Sequence, residues 1–464
     1  MSSATSVDPS SITVTDESAV KRAVRAAMLG NAMEWFDFGV FAYLAATLGR
    51  VFFPGASTSA QLIFTFGTFA AAFLVRPLGG MFFGPLGDRI GRKKVLATTM
   101  IMMSLSTFGM GLIPSYTVIG VFAPVLLIAL RMLQGFSTGG EYGGATTFIA
   151  EYAPDKRRGY FGSFLEFGTL IGYIAAAGLV TIIQLSVTQD SLDSWAWRIP
   201  FLIGGPLGMV GLYLRLRLEE TPAFQAMEAT KAAAPESDGE PATARLRDTV
   251  RGQWRPMLLC IGLVLVFNVT DYMLLSYMPT YLSSTLGYDE VHSLVVIIVV
   301  MVLMMFGLTR LGSLSDRVGR KPLLLGSCAG FVVLSLPAFL LVKQGSLVAV
   351  FLGLAILGAL LMVLLAVMPS TLPALFPTGV RYGALAIGFN VSVSLFGGTT
   401  PLVTESLQSY FDSDLVAPYY LMLAGVIGFV SVWLIRESAN KPLPGSAPAV
   451  ATEQEKHELV SAGR

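Results

Sequence analysis

Two carboxylates, Glu34 and Asp37, stand three residues apart in the stretch LGNAMEWFDFGV (29–40), inside an otherwise apolar run. That spacing places both on one helical face. Two like charges this close in a low-dielectric setting do not readily ionise together, so the pair is suited to taking up and releasing a proton. The simpler alternative is that Asp37 pairs with an arginine and locks neighbouring helices together. A second cluster is RMLQGFSTGGEYGGA (131–145), which offers Arg131, Gln134 and Tyr142 among small residues that let helices approach closely. Arg131 and Glu141 are ten residues apart, about 15 Å along a helix axis. They are therefore not each other's partners. Arg131 requires a carboxylate from another helix, or an anionic group on a bound solute. Glu166, Asp271 and Glu405 also fall in apolar surroundings. Asp271 lies in FNVTDYMLLSYMP, beside Asn268, Phe267, Tyr272 and Tyr277, a combination that would suit a cavity wall.

A charge at the centre of a membrane helix costs about 2.5–3.5 kcal/mol. The elements that hold these residues are membrane helices, as the composition shows. The chain has 464 residues, 54% hydrophobic and 13% charged, with a mean hydropathy of +0.67. A soluble chain carries about 25% charged residues. Twelve apolar stretches approach the roughly 20 residues needed to cross a bilayer. Their approximate centres are 28–48, 61–83, 95–113, 119–140, 162–185, 199–215, 256–281, 292–311, 323–342, 347–368, 383–407 and 417–435. They are too long, and alternate too little, for barrel strands. The fold expected is all-α, with twelve transmembrane helices in two six-helix bundles.

The boundaries follow from composition. A polar tail (1–20) precedes the amino-terminal bundle (21–217), and a linker (218–253) containing KAAAPESDGEPATA separates it from the carboxy-terminal bundle (254–436). A short tail (437–464) ends the chain, and its ATEQEKHELVSAGR is too short for a stable coiled coil. The two halves share a motif, GPLGDRIGRKK at 84–94 and GSLSDRVGRKP at 312–322. Asp88, Arg89 and Arg92 in the first copy match Asp316, Arg317 and Arg320 in the second. A carboxylate among cations in a tight polar gap between helices can clasp helix ends in one state and release them in another. Duplication at half-chain offset is the mark of a transporter built from parallel repeats.

Counting Lys and Arg by loop sets the orientation. With the N-terminus inside, the inner loops hold Lys21, Arg22, Arg25, both motif clusters, Lys156, Arg157, Arg158, Arg381 and the basic residues of the linker and tail. The outer loops hold Arg50, Arg198 and Lys343. Both termini and the linker are therefore expected in the cytoplasm. The net charge of +1 gives no sign of nucleic-acid binding. The two cysteines, Cys260 and Cys328, form no metal or redox motif, and nothing in the sequence calls for a cofactor or a metal. The two histidines, His292 and His457, lie near a helix end and in the tail, so a coupled proton must ride on carboxylates.

Several strings give the chain a family likeness: LGNAMEWFDFGV, FLVRPLGGMFFGPLGDRIGRKK (73–94), RMLQGFSTGGEYGGA, EYAPDKRRG (151–159), WAWRIPF (195–201), LEETPAF (218–224) and STLPALFPTGVRY (370–382). With these the chain resembles the metabolite:proton symporter group of the major facilitator superfamily, and most of all bacterial proline/glycine betaine transporters, over roughly residues 20–440. The doubled motif marks the superfamily; NAMEWFDF with QGFSTGGEY is more specific. The resemblance implies proton-coupled import across the cell inner membrane by alternating access, with a monomer as the functional unit and dimerisation as the alternative. It assigns Asn31 and Glu34 to coupling and substrate binding, Arg131 and Gln134 to proton transfer, and the two motifs to gating. The chain departs from many such relatives in lacking a carboxy-terminal coiled coil and in carrying acidic Asp271 and Glu405.

The residues themselves suit a zwitterion. Trp35, Tyr142 and Tyr272 offer aromatic faces to an ammonium group, while Asn31 and Arg131 suit a carboxylate. The main rival is a proton symporter for an organic acid, such as a 2-oxo acid or tricarboxylate, which would want a second unpaired arginine. A passive channel or an intramembrane enzyme is the reading from other classes. The enzyme reading lacks an HExxH, P-loop or GxSxG signature, and a channel would not need the duplicated motif.

Overall fold

The computed structural model describes residues 12–90, 92–139, 141–216 and 251–462, without the side chains of 84, 85, 87–90, 92–94, 96, 214–216 and 462. The expected linker therefore lies outside the described residues save for its last three, as do the side chains of Asp88, Arg89 and Arg92. The chain folds as a helical membrane bundle. The amino-terminal half comprises α1 (Glu17–Tyr43), α2 (Thr58–Leu74, continuing as Arg76–Ile90), α3 (Arg92–Leu112), α4 (Phe122–Ser137, continuing as Glu141–Tyr152), α5 (Arg158–Ser186) and α6 (Arg198–Leu216). The other half comprises α7 (Trp254–Asp271, extended by irregular turns to Thr285), α8 (Glu290–Val318), α9 (Arg320–Val342), α10 (Leu347–Thr371), α11 (Arg381–Ser392, resuming at Thr400–Phe411) and α12 (Val416–Leu434). Among the described residues, nine spans are long and apolar enough to cross a membrane, and α1, α3 and α6 complete the twelve.

Helix ends follow local chemistry. The Asp16 side chain accepts the Ser18 N–H at 2.8 Å and starts α1, and Asp289 does the same for α8 through His292 N–H at 2.9 Å. Helix interruptions have equally local causes. Pro77 lacks the N–H that would reach the carbonyl of Phe73, so α2 breaks there. The Ser394 hydroxyl, from the other half of the molecule, donates to that freed oxygen at 2.7 Å. The break in α4 leaves the Gly139 carbonyl to Asn390 of α11, at 3.0 Å. Both breaks thus become hydrogen-bonded seams between the halves. In α7, a π-helical segment, Tyr272–Tyr277, begins immediately after Asp271. Such widened turns are frequent at functional sites.

Within the first half α1 packs on α5 and α3 on α6. Within the second, α9 lies between α10 and α12, and α7 lies against α11 and α12. Across the halves, α5 packs on α8 and α10, and α2 on α11. One hydrophobic core runs through both halves. The two chain ends meet on a single face: β1 (Thr13–Val14) pairs in parallel with β2 (Ala449–Val450), and a short helix, α13 (Glu453–Ala462), follows. Residues of the expected short tail pack across this face, with the Lys441 carbonyl accepting from Arg158 and the Glu437 carboxylate accepting from Arg320 N–H.

Candidate functional site

The ionisable residues of α1 are buried but differently partnered. Glu34 forms an ion pair with Arg76, which sits at the break in α2 and also donates Nε–H to the Thr138 hydroxyl at 2.9 Å. Both members of the pair are inside the molecule, so Arg76 is a core residue rather than a helix-end cation. Asp37 has no ion pair within 4.0 Å among the described residues; it accepts the Thr107 hydroxyl at 2.8 Å. Arg131 lies within electrostatic reach of Asp37. It donates to the Gln134 carbonyl oxygen, and its guanidinium rests over the ring of Phe41 at 4.2 Å. Its Nε and Nη2 have no hydrogen-bond partner in the structure. Gln134 in turn donates to Thr107 at 3.0 Å. Asp37, Thr107, Gln134 and Arg131 therefore form one polar network without a direct carboxylate–guanidinium contact.

One helical turn back, Asn31 is occupied by the protein itself. Its amide donates to the Leu165 carbonyl at 2.8 Å and to Thr169 Oγ1 at 2.6 Å, and its oxygen accepts Trp35 Nε1–H at 3.2 Å. Thr169 passes its hydroxyl hydrogen to Glu166 Oε2 at 2.8 Å, and Tyr142 donates to Glu166 Oε1 at 2.5 Å. Asn31 thus positions Trp35, while Tyr142 stacks on Phe389 with ring centroids 4.1 Å apart. Glu166 carries two donors but no cation among the described residues, a role the sequence did not single out.

Trp35 faces Tyr173 at 5.2 Å and Tyr272 at 5.6 Å, and Tyr43 lies 6.1 Å from Tyr173. These rings meet where the two halves touch, and a hydrogen bond of 2.8 Å joins the hydroxyls of Tyr173 and Ser276 across them. Beside them lie Asn268 and Asp271, both almost wholly buried. Trp35, Asn268, Asp271 and Tyr272, which the sequence points to, thus lie with Tyr43, Tyr173 and Ser276. Aromatic residues recur throughout a membrane chain, so no sequence signal separates these from the rest.

Nearer the face opposite the chain ends, the Tyr277 hydroxyl lies 2.7 Å from both Glu405 and Gln408 and donates its single hydrogen to one at a time. On that face Arg50 grips Asp193 of its own half with two bonds of 2.9 and 3.0 Å and approaches Glu290 of the other half at 3.8 Å. Gln184 donates to Glu290 at 3.0 Å.

The face carrying the chain ends also has contacts between the halves. Asp316 of α8 accepts the backbone N–H groups of Gly159 and Tyr160, at 2.7 and 2.9 Å, at the start of α5. Unsatisfied amides at a helix N-terminus attract an anion. Here the anion belongs to the other half. Arg320 lies 3.8 Å from Asp316 and donates to the Ser370 carbonyl at 2.8 Å, whereas Arg317 is exposed. Arg381 reaches across to Glu151 at 2.6 Å. Gly319 adopts φ 107°, a conformation that favours glycine and turns the chain sharply from α8 into α9. Contacts between the halves thus occur on both faces, and the central polar groups are buried.

Comparison with known proteins agrees with this architecture. The family model for sugar (and other) transporters matches residues 23–445. The proline/betaine transporter of Escherichia coli strain K12 is 48% identical over 97% of this chain and 90% of its own length. The glycine betaine/proline/ectoine/pipecolic acid transporter of Dickeya dadantii is also 48% identical, with the same coverage. Among solved structures, the major facilitator superfamily proton:xylose symporter superposes with a TM-score of 0.71 over 92% of this chain and 98% of that one, at 20% identity. That likeness carries the fold. With a family match over nearly its whole length and relatives of this identity, the chain belongs to the sugar (and other) transporter family and is a multi-pass membrane relative of the proline/betaine transporters.

Proposed function

We propose that the protein imports a small zwitterionic osmoprotectant, of the proline or glycine betaine type, together with protons by alternating access. The observation that carries this reading is the buried Glu34–Arg76 ion pair at the heart of the amino-terminal bundle, with the Asp37–Thr107–Gln134–Arg131 network beside it and an aromatic cluster shared by both halves. Glu34 and Asp37, with Arg131, are the coupling groups. Protonation of Glu34 releases Arg76, and protonation of Asp37 changes the field at Arg131, so either event alters how α1 meets α2 and α4. Trp35, Tyr142, Asp271 and Tyr272 line the solute site, with Asn31 and Gln134 setting its walls.

The two bundles, 21–217 and 254–436, rock against each other around this centre, linked by 218–253. Asp316, Arg317 and Arg320 gate one side of the inner face, and Asp88, Arg89 and Arg92 the other. Loop charge supports an orientation with both termini in the cytoplasm and the chain in the cell inner membrane. A monomer contains every group invoked. One proton moved through about 100 mV supplies about 2.3 kcal/mol. At about 1.4 kcal/mol per decade this sustains roughly fifty-fold accumulation of a neutral solute. Relatives named as transporters support a carrier rather than an enzyme.

The organic-acid reading needs two available arginines. Arg76 is committed to Glu34, which leaves Arg131 and favours the zwitterion. The test is uptake of labelled proline and glycine betaine into proteoliposomes under an inward proton gradient. Gradient-dependent accumulation that collapses with an uncoupler is the expected result. No uptake of either solute by folded protein would overturn the reading.

A further inference from the structure

Asp271 presents a physical problem that the coupling network does not solve. It is 2% exposed, no hydrogen bond to its carboxylate is found in the structure, and Oδ1 has no partner at all. No lysine, arginine or histidine lies within ion-pairing distance of it among the described residues. A lone buried charge of this kind costs several kcal/mol, and native interiors rarely keep one without a purpose. Several of the orphaned atoms gather around it. Tyr43 Oη, Asn268 Nδ2, Asp271 Oδ1 and Tyr272 Oη are all buried and unpartnered, and Asp271 is close enough to act electrostatically on Tyr43, Tyr142 and Tyr173.

Charges of both signs act on this cluster: Arg76, Asp271, Glu34 and Glu166 all lie within electrostatic reach of the Tyr272 phenol, as does Arg131. Glu34 is matched by Arg76. Asp271 has no cation beside it among the described residues, so the unmatched group next to the rings is acidic and suits the cationic end of a dipolar ion.

Building on the transport reading above, we propose that Asp271, with the rings of Trp35, Tyr43, Tyr173 and Tyr272, forms the subsite that receives the ammonium group of the solute. The carboxylate supplies the counter-charge, and the ring faces supply the quadrupole attraction that suits alkylated ammonium. Trp35, Tyr43 and Tyr173 belong to one half of the molecule, whereas Asp271 and Tyr272 belong to the other. In the structure the rings lie against one another. Separation of the halves, with loss of the Tyr173–Ser276 bond, opens the space between them. The subsite reads charge: a solute of the same shape without a positive nitrogen leaves Asp271 uncompensated and is rejected.

The test compares glycine betaine with its carbon isostere, 3,3-dimethylbutanoate, as competitors of labelled proline uptake in proteoliposomes, for the native chain and Asp271→Asn. In the native chain betaine competes and the isostere does not. In the variant the KM for proline rises by about tenfold or more, as expected for loss of one charge-assisted contact, and the isostere competes at least as well as betaine. Removing an uncompensated charge should leave the variant's thermal stability equal or higher. Equal competition by the isostere in the native chain would overturn the proposal without any variant. An unchanged KM in Asp271→Asn, with loss only of gradient-driven accumulation, would also overturn it and make Asp271 a proton site. Absence of proline and betaine uptake by the native chain would instead remove the transport reading on which the proposal stands.

Discussion

Asp316 on α8 accepts the backbone N–H of Gly159 on α5 at 2.7 Å, so a carboxylate from one half caps a helix that belongs to the other. The contact uses two weak ingredients, an acidic side chain and a helix end, and becomes directional because the second oxygen takes the next amide, of Tyr160, at 2.9 Å. It also exists only when the halves are together on this face. That makes it a gate contact rather than a fold contact, with consequences for turnover.

Asp316→Ala removes both bonds. Hydrogen bonds to charged groups contribute about 1.5–3 kcal/mol each, so the closed population on this face should fall by roughly tenfold or more. Spin labels across α5 and α8 would report the opening, and uptake should slow while membrane abundance holds. An unchanged distance distribution would reduce the contact to a by-product of packing. In the other copy of the motif, Asp88→Asn is expected to slow turnover from both faces, and an unaltered maximal rate would reduce that motif to a topogenic element.

Gly312 tests the same gate by bulk. A Cβ there would stand 2.7 Å from the Gly159 carbonyl oxygen and 2.7 Å from Ser163 Oγ, closer than side-chain atoms tolerate. Gly312→Val should therefore favour the form open on the face of the chain ends, measured as faster labelling of a cysteine placed near Gly159. Normal closure in the variant would mean that α5 and α8 can slide apart without opening.

The Glu34–Arg76 pair separates structure from coupling. Breaking a buried pair by removing one partner costs about 3–5 kcal/mol, so Arg76→Gln alone should destabilise strongly and the double variant Glu34→Gln/Arg76→Gln should recover part of the loss. Glu34→Gln is expected to abolish proton-driven accumulation while leaving some solute exchange. Thermal unfolding in detergent checks the first statement, and counterflow against net uptake checks the second. Normal active uptake in Glu34→Gln would remove that residue from the coupling site.

Glu437 anchors the final segment. Burial alone would raise its pKa, but N–H groups of Ala439, Lys321, Arg320 and Ser438 outweigh that and hold the carboxyl below its ordinary value of 4.5. A carboxyl with a lowered folded pKa stabilises the anchored form at pH above the ordinary value, and that contribution is lost as pH falls through the lowered one. The segment from Glu437 to Val450 should therefore stay immobile through mildly acidic conditions and loosen only below them. Glu437→Gln should loosen it at neutral pH. Mobility of a spin label near Ala449 reads both effects, and a label equally immobile in the variant would show that β1–β2 pairing alone holds the segment.

The number and order of the membrane helices are legible along the chain, because apolar length is a local property and each run must satisfy its own backbone in lipid. The sequence also makes Glu34, Asp37, Arg131, Asp271 and the doubled motif stand out, since charges in such runs are costly wherever they land. Which side chains meet emerges from the packing of the helices. Arg76 found Glu34 from another helix, Asp37 was left to Thr107, and Asn31 turned inward to hold Trp35. The short polar tail meets Arg320, Arg158 and β1, contacts that its composition does not announce. Such partnerships depend on helix rotation and on breaks such as the one at Pro77, which place atoms from distant parts of the chain within 3 Å. No spacing along the sequence encodes that distance.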